Sequence, residues 1–247
     1  MINLKGKNAI ITADRRNWTS VLAKALADAG VNITVAGSKN SDKSEAVDAV
    51  IESGGNANSI DCDLTDPKDI KNMIEQTISS VGQIHILVNN AHIPFGKPFL
   101  EISHEEWDLM FDFNVRSIFL CCQLVGKHMI ENKSGRIINM TSGLAERGLV
   151  NTVADCANHG AVKQLTAALA LEWATQGIRV NAIGAGWMKF EKNSKESTGT
   201  QLERFIPSRR MGHPSDLSGL LRYLASDQSD FITGQTIHVD GGALAHA

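Results

Sequence analysis

The sequence predicts a single-domain α/β fold, built on a doubly wound parallel sheet of about seven strands with helices on both faces. Short apolar runs alternate with longer amphipathic segments along the chain, which is the order of strands and crossover helices in such a sheet. The 247 residues are 43% hydrophobic, which is enough to bury one large core. No linker, internal repeat or low-complexity segment interrupts the pattern, so we expect one domain over residues 1–247.

In the first half of the chain, strands are predicted from short apolar runs and helices from apolar residues at helical spacing. The strands are expected over residues 7–12, 32–36, 58–61 and 84–89. The first two helices are expected over residues 18–29 and 42–52, the second with Val47, Val50 and Ile51 on its core side. Asp66 before Pro67 is a helix N-cap with proline at the first helical position, and it opens the third helix.

In the second half, Ser103 and Glu106 form a capping box that opens a helix reaching about Glu131. Strands are expected over residues 136–140, 179–183 and 232–242, and helices over 155–174 and 214–225. The segment between these last strands, about residues 187–212, is polar without an apolar period.

Composition excludes several classes of function. A net charge of -3 gives no reason to expect a nucleic-acid or anionic-membrane partner. No apolar run is judged long enough to span a bilayer, and the first ten residues lack a signal-peptide pattern. Four cysteines without a CxxC pair and eight scattered histidines form no metal motif. We therefore expect a cytoplasmic protein with no metal.

Several motifs resemble those of the short-chain dehydrogenase/reductase family across essentially the whole chain. They are the Asn89-Asn90-Ala91 triplet, Asn114, Ser142, the run from Arg179 to Ile183, and the segment from Thr233 to Gly242. The resemblance implies a Rossmann-like fold, with Asn114 either in a proton relay or bonding the backbone at a local helix distortion. It also implies that the polar segment is a lid that covers substrate.

The residues at the family's acid/base positions differ from the family pattern. Members place Tyr thirteen residues after the serine and Lys four residues further on; here those positions are Asp155 and His159. A carboxylate with a pKa of about 4 cannot donate a proton to an alkoxide at neutral pH, and His159 is shorter than Lys. Asp155 and His159 share one helix face and could form an ion pair. An acid/base dyad made from them is the alternative to a lost site. Lys163, one turn on, is interpreted as a solvated or interface lysine.

The dinucleotide-binding positions also depart from the family pattern, TGxxxGxG. Its three glycines are replaced by Ala13, Asn17 and Thr19, whose Cβ atoms are expected to crowd the phosphate path. Asp63 matches the family position beside the adenine ring, and Asn89 the strand end that lines the cofactor. His92 replaces the glycine of the family's Asn-Asn-Ala-Gly segment. We therefore expect that this chain binds no cofactor.

The coordinated changes predict a catalytically inactive subunit. The resemblance implies assembly with an active homologous subunit as a heterotetramer, through helices 103–131 and 155–174 and the C-terminal strand. The partner would hold NAD and oxidise a β-hydroxyacyl-CoA. One alternative is nucleotide-independent chemistry like that of halohydrin dehalogenases, although those relatives keep the tyrosine. Another is a ligand-sensing module, for which the retained Asp63 and Ser142 leave room.

Overall fold

The computed structural model describes residues 2–13, 18–189 and 202–245, and it contains one seven-stranded sheet. The strands are β1 Asn8–Thr12, β2 Asn32–Gly37, β3 Ala57–Asp61, β4 Ile86–Asn89, β5 Gly135–Ser142, β6 Ile178–Ala185 and β7 Thr236–Val239. They pair in the order β3-β2-β1-β4-β5-β6-β7, and every pairing is parallel. The predicted fold class is confirmed.

The helices of the described residues cover both faces of the sheet. They are α1 Trp18–Ala27, α2 Lys43–Glu52, α3 Pro67–Val81, α4 His104–Phe111, α5 Ser117–Glu131, α6 Val153–Trp173 and α7 Ser218–Ala225. Two predicted caps are confirmed: the Asp66 side chain accepts a hydrogen bond from the Lys68 backbone N–H, and Ser103 and Glu106 form a reciprocal capping box.

The two faces of the sheet bury separate apolar clusters. One cluster joins α1, α2 and α7 to the sheet and includes Leu22, Leu26 and Leu221. The other joins α3, α5 and α6 to the opposite face and includes Met73 and Val125. Because both faces of the sheet are buried, the strands are continuous apolar runs and do not alternate between apolar and polar residues.

Two sequence expectations need correction, and a third is not tested. The strand predicted over 136–140 runs on to Ser142, because Thr141 and Ser142 continue the pairing with β6. Ile51, expected on the core side of α2, is 55% exposed; Ala46 and Val50 are the buried apolar residues of that helix. The proposed lid falls partly outside the described residues, since 190–201 are not among them.

α4 and α5 form one continuous helical stretch, joined by a π-helical turn over Asp112–Arg116. Residues 104–131 are long and apolar enough, by length and composition alone, to cross a membrane. The expectation that no segment reaches that length is therefore wrong. Half of the most apolar window is buried inside the protein, and α5 packs against β4 and β5. A helix that is buried in this way against the sheet is a core helix of an α/β protein.

The strand order reverses between β1 and β4, which places a crevice at their carboxyl ends. The chain runs outward from β1 through β2 to β3, then returns to β4 on the other side of β1. Ligands of open parallel sheets bind at such a switch point. The residues that follow β4, and the helices beside them, therefore line the candidate site.

Candidate functional site

A compact cluster of titratable side chains lies beyond the carboxyl end of β4. His92 follows that strand, and Asp155 and His159 come from the first two turns of α6. The Nε2 atom of His92 lies 3.6 Å from Oδ1 of Asp155. The rings of His92 and His159 are stacked, with centroids 4.6 Å apart and an interplanar angle of 22°. One donor atom from each residue lies within 4.8 Å of the others.

The cluster is held on the buried face of α6. Asp155 and His159 are 6% and 7% exposed, because their spacing along α6 turns both toward the sheet. The Oγ1 atom of Thr141, in β5, lies 3.2 Å from Nδ1 of His159. At the Asp155 carboxylate the structure places Nε2 of His92, a contact that is an ion pair when the imidazole is protonated; the pairing of Asp155 with His159 stays a prediction. Only the folded sheet places His92 beside α6.

Ser142 and Asn114, the other positions of the family's catalytic set, are engaged in local structure. The Ser142 hydroxyl accepts a hydrogen bond from the Leu144 backbone N–H at 3.2 Å and caps a short turn. Asn114 lies in the π-helical turn. Its side chain accepts from the Ile93 N–H at 2.8 Å and donates to the Ile93 carbonyl at 2.9 Å. The backbone-bonding interpretation of Asn114 at a helix distortion is therefore confirmed.

The Asn89-Asn90 pair supports the sheet beneath the cluster. Asn89 donates to the side chain of Asn139 at 2.8 Å, and Asn139 donates to Thr166 in α6 at 2.9 Å. Asn90 donates to the Thr12 carbonyl and to the Thr19 hydroxyl. These bonds tie β4 to β1, β5, α1 and α6. The segment keeps its structural role although His92 replaces the glycine that follows it in relatives.

The positions that hold a dinucleotide in the family are part of local structure here. Ala13 is 2% exposed, and Thr19 is fully buried. The Thr19 side chain points inward and accepts the bond from Asn90, so the expectation that it crowds the phosphate path is wrong. Asn17 lies outside the described residues. The carboxylate of Asp63 accepts bonds from the Thr65 backbone and hydroxyl, which makes it part of a local turn.

The nicotinamide end fits least well. His92 fills the space beyond β4 that a glycine leaves open, and its side chain is only 11% exposed. The chain contains a single tyrosine, Tyr223, which lies on α7 and packs against the apolar cluster on the other face of the sheet. Lys163 forms an ion pair with Glu146 at 2.7 Å. Neither residue therefore replaces the missing acid/base pair from elsewhere in the fold.

Sequence reasoning missed an ion pair at the carboxyl ends of β2 and β3. Lys43, 6% exposed, lies 2.8 Å from Oδ1 of Asp61 and donates to the Ser38 carbonyl at 2.8 Å. The hydrogen bond from Lys43 lowers the pKa of the Asp61 carboxyl from its ordinary value. Nothing in the local sequence pairs these two residues; the parallel register of β2 and β3 does.

Comparison with known proteins places this architecture in a family. The family described as enoyl-(acyl carrier protein) reductase matches residues 14–243. The 3-oxoacyl-(acyl-carrier-protein) reductase of Staphylococcus epidermidis is 34% identical over 239 residues, 96% of this chain and 98% of the relative.

Solved structures of short-chain dehydrogenases are also similar to this chain. A gluconate 5-dehydrogenase from Burkholderia cenocepacia, in complex with NADP and tartrate, superposes with a TM-score of 0.93 at 30% identity, over 100% of this chain and 98% of that one. A short-chain type dehydrogenase/reductase from Mycobacterium marinum superposes with a TM-score of 0.90 at 32% identity, over 98% and 96%. The chain belongs to the short-chain dehydrogenase/reductase family of oxidoreductases.

Proposed function

We propose that this chain is a catalytically inactive subunit that assembles with an active homologous dehydrogenase. The observation that carries the proposal is the contact of His92 with Asp155 and His159, at the family's tyrosine and lysine positions. A carboxylate beside two imidazoles offers no phenol to exchange a proton with a secondary alcohol, and no ammonium to lower a phenol's pKa. Hydride transfer then takes place in the partner.

The proposal extends to the cofactor. This chain binds no NAD, because His92 fills the nicotinamide end and Ala13 carries a Cβ atom where the family pattern has glycine. NAD is bound by the active subunit. Residues of this chain contribute packing and stability to the assembly rather than a reacting group.

Exposed apolar side chains support an assembly through the two long helical segments. Leu109 and Phe119 on α4 and α5 are 59% and 45% exposed, and Leu171 on α6 is 85% exposed. Val150, just before α6, is 83% exposed. All four residues of β7, the edge strand, are only half-buried. Large exposed apolar side chains are a feature of protein interfaces, so a homologous subunit is proposed to cover helices 103–131 and 155–174 and the C-terminal strand as a heterotetramer.

The substrate of the proposed assembly is a β-hydroxyacyl-CoA. The family resemblance favours the non-catalytic subunit of 2-(hydroxy(phenyl)methyl)succinyl-CoA dehydrogenase, whose assembly oxidises that compound to benzoylsuccinyl-CoA in anaerobic toluene degradation. The relative from Staphylococcus epidermidis is named for a 3-oxoacyl group on a carrier protein, which has the same β-carbonyl position on a thioester. That shared chemistry supports an acyl thioester over a free sugar acid.

The test is co-expression of this chain with the active subunit, followed by native mass spectrometry and an NAD-dependent assay with the β-hydroxyacyl-CoA. A mixed tetramer is expected. The variants Asp155→Asn and His159→Gln should leave its rate within about twofold, whereas Tyr→Phe at the partner's acid/base position should abolish it. A tenfold loss of rate with Asp155→Asn, in an intact tetramer, would overturn the proposal, and so would the absence of any mixed assembly.

A further inference from the structure

We propose that His92, Asp155 and His159 bind one divalent transition-metal cation. The three residues supply two imidazole nitrogens and one carboxylate oxygen, all within 4.8 Å of one another. This donor set suits Zn²⁺, Co²⁺ or Ni²⁺. The sequence predicted no metal because its histidines form no HExxH or paired metal motif. The fold brings His92 to the other two residues.

The distances are close to those of a tetrahedral site. Bonds of about 2.0–2.1 Å from zinc to nitrogen or oxygen separate adjacent ligand atoms by roughly 3.3 Å. His92 Nε2 and Asp155 Oδ1 are already 3.6 Å apart. The stacked imidazoles, with centroids at 4.6 Å, need a rotation of one ring to turn two nitrogens to a common centre. A shift of about 1 Å or less per ligand atom then completes three bonds, and water takes the fourth position.

Burial of the carboxylate favours a cation. Asp155 is 6% exposed, and its Oδ1 atom is buried and accepts no hydrogen bond within the part of the chain that the structure describes. The His92 nitrogen at 3.6 Å is too distant for a hydrogen bond. A buried carboxylate oxygen without a hydrogen bond is costly, and metal coordination is one of the few ways to compensate it.

The surroundings orient the ligands. Thr141 Oγ1 lies 3.2 Å from Nδ1 of His159, and in the tautomer that donates this bond the Nε2 atom carries the lone pair that would bind the cation. Metal-bound histidines are commonly held in this way by a second residue. His92 precedes Ile93, whose backbone N–H and carbonyl are both bonded by Asn114. The ligands therefore come from a fixed strand end and a rigid helix, as a metal site requires.

The bound cation would link the end of β4 to α6 inside a single subunit. Such a link stabilises the folded chain, because the ion binds the native state and not the unfolded one. This inference is independent of the partner, so it is tested on the isolated chain. Failure of metal binding leaves the assembly experiment unaffected, and failure of assembly leaves the metal titration unaffected.

The experiment is a titration of the full chain, treated with chelator and exchanged into clean buffer, with Zn²⁺ by calorimetry and with Co²⁺ by visible absorption. We expect one equivalent of Zn²⁺ with a micromolar or tighter dissociation constant. Co²⁺ should give the intense ligand-field bands of a four-coordinate nitrogen and oxygen site. The variants His92→Ala, Asp155→Asn and His159→Gln should each weaken binding at least tenfold, consistent with loss of one ligand.

Two control variants make the test selective. His104 is exposed at the start of α4, and His104→Ala should leave the affinity unchanged. Cys156 is next to Asp155 in sequence, and Cys156→Ser should also bind normally. Circular dichroism checks that each ligand variant is folded, and the isosteric Asp155→Asn is the variant least expected to unfold. The proposal is overturned if the wild type binds no ion at millimolar concentration, or if affinity depends on His104 or Cys156 instead of the three ligands.

Discussion

His92 Nε2 lies 3.6 Å from Asp155 Oδ1, so a residue after the fourth strand and a residue at the start of α6 share one buried site. The family pattern has glycine and tyrosine at these two positions. Here the His92 imidazole lies against the Asp155 carboxylate and stacks on the His159 ring. The departures from the family pattern at 92, 155 and 159 therefore meet in one cluster of side chains.

This relationship predicts measurable coupling between the two residues. In a double-mutant cycle of His92→Ala and Asp155→Ala, followed by urea unfolding in the presence of chelator, we expect a coupling free energy of about 1 kcal/mol or more, because both side chains are nearly buried. The exposed pair Lys24 and Asp28 is the control, with about 0.3–0.5 kcal/mol expected. Equal coupling in the two cycles would mean that His92 and Asp155 are only neighbours.

Asn114 is predicted to be essential for stability. Asn114→Ala removes two hydrogen bonds that a 1% exposed side chain makes to the Ile93 backbone, each with a net contribution of about 0.5–1.5 kcal/mol. The free energy of unfolding should fall by about 2 kcal/mol or more. Asn132, whose side chain donates to the His128 carbonyl at an exposed helix end, is the matched control, and Asn132→Ala should cost under about 1 kcal/mol. A loss for Asn114→Ala no larger than for Asn132→Ala would contradict the assignment.

The capping box at the start of α4 predicts a second stability effect. Ser103 accepts a bond from the Glu106 N–H at 3.2 Å, and replacing such an N-cap with alanine typically costs about 1 kcal/mol. Ser103→Ala should therefore lower the denaturant midpoint without changing the slope. Ser79→Ala, at an exposed position within α3, should change neither. A midpoint unaffected by Ser103→Ala would show that the cap contributes nothing.

The same box predicts a pH dependence. Lys97 and the Ser103 backbone N–H bond the Glu106 carboxylate and lower its pKa from the ordinary 4.5. Because the folded-state pKa lies below the unfolded one, this stabilisation is fully present above about 4.5 and is lost as the pH falls through the folded-state value. Glu106→Gln keeps the capping geometry but removes the charge. Its stability deficit should shrink in unfolding experiments below about pH 4.5, and a deficit that is constant with pH would argue against this cause.

The cysteines are predicted to differ in reactivity. Burial raises the pKa of Cys62 and of Cys122 to about 12 and raises that of Cys121 as well. Since the thiolate is the nucleophile, iodoacetamide at neutral pH should modify only Cys156, which is half-buried. Mass spectrometry should show one modification in the native chain, none in Cys156→Ser, and all four after denaturation of the wild type. Early modification of Cys121 or Cys122 would indicate local opening of α5.

Much of the fold could be predicted from the sequence because each parallel strand is buried on both faces. The apolar runs around Ile10 and Val35 predict strands that are buried on both faces. The caps at Asp66 and Ser103 could be predicted because they depend only on neighbouring residues. Ile51 was misplaced because an apolar residue at helical spacing was taken as buried, while the sheet covers only the face of α2 that carries Val50.

The candidate site was only half predictable. The positions of Asp155 and His159 follow from their spacing to Ser142 along one chain segment. The approach of His92 depends on the pairing of β4 with β5 and on where α6 crosses them, which no local pattern encodes. The Lys43–Asp61 pair was missed for the same reason.

The central claim is that this chain has lost its dinucleotide site and does no hydride transfer itself. The most direct test is a calorimetric titration of the isolated full-length chain with NAD and with NADP, alongside the active subunit as a positive control. The account predicts no saturable heat from this chain up to about millimolar cofactor, with micromolar binding by the active subunit. Micromolar binding by this chain alone, accompanied by reduction of the cofactor with the β-hydroxyacyl-CoA, would contradict the account and assign the chemistry to Asp155, His159 and His92.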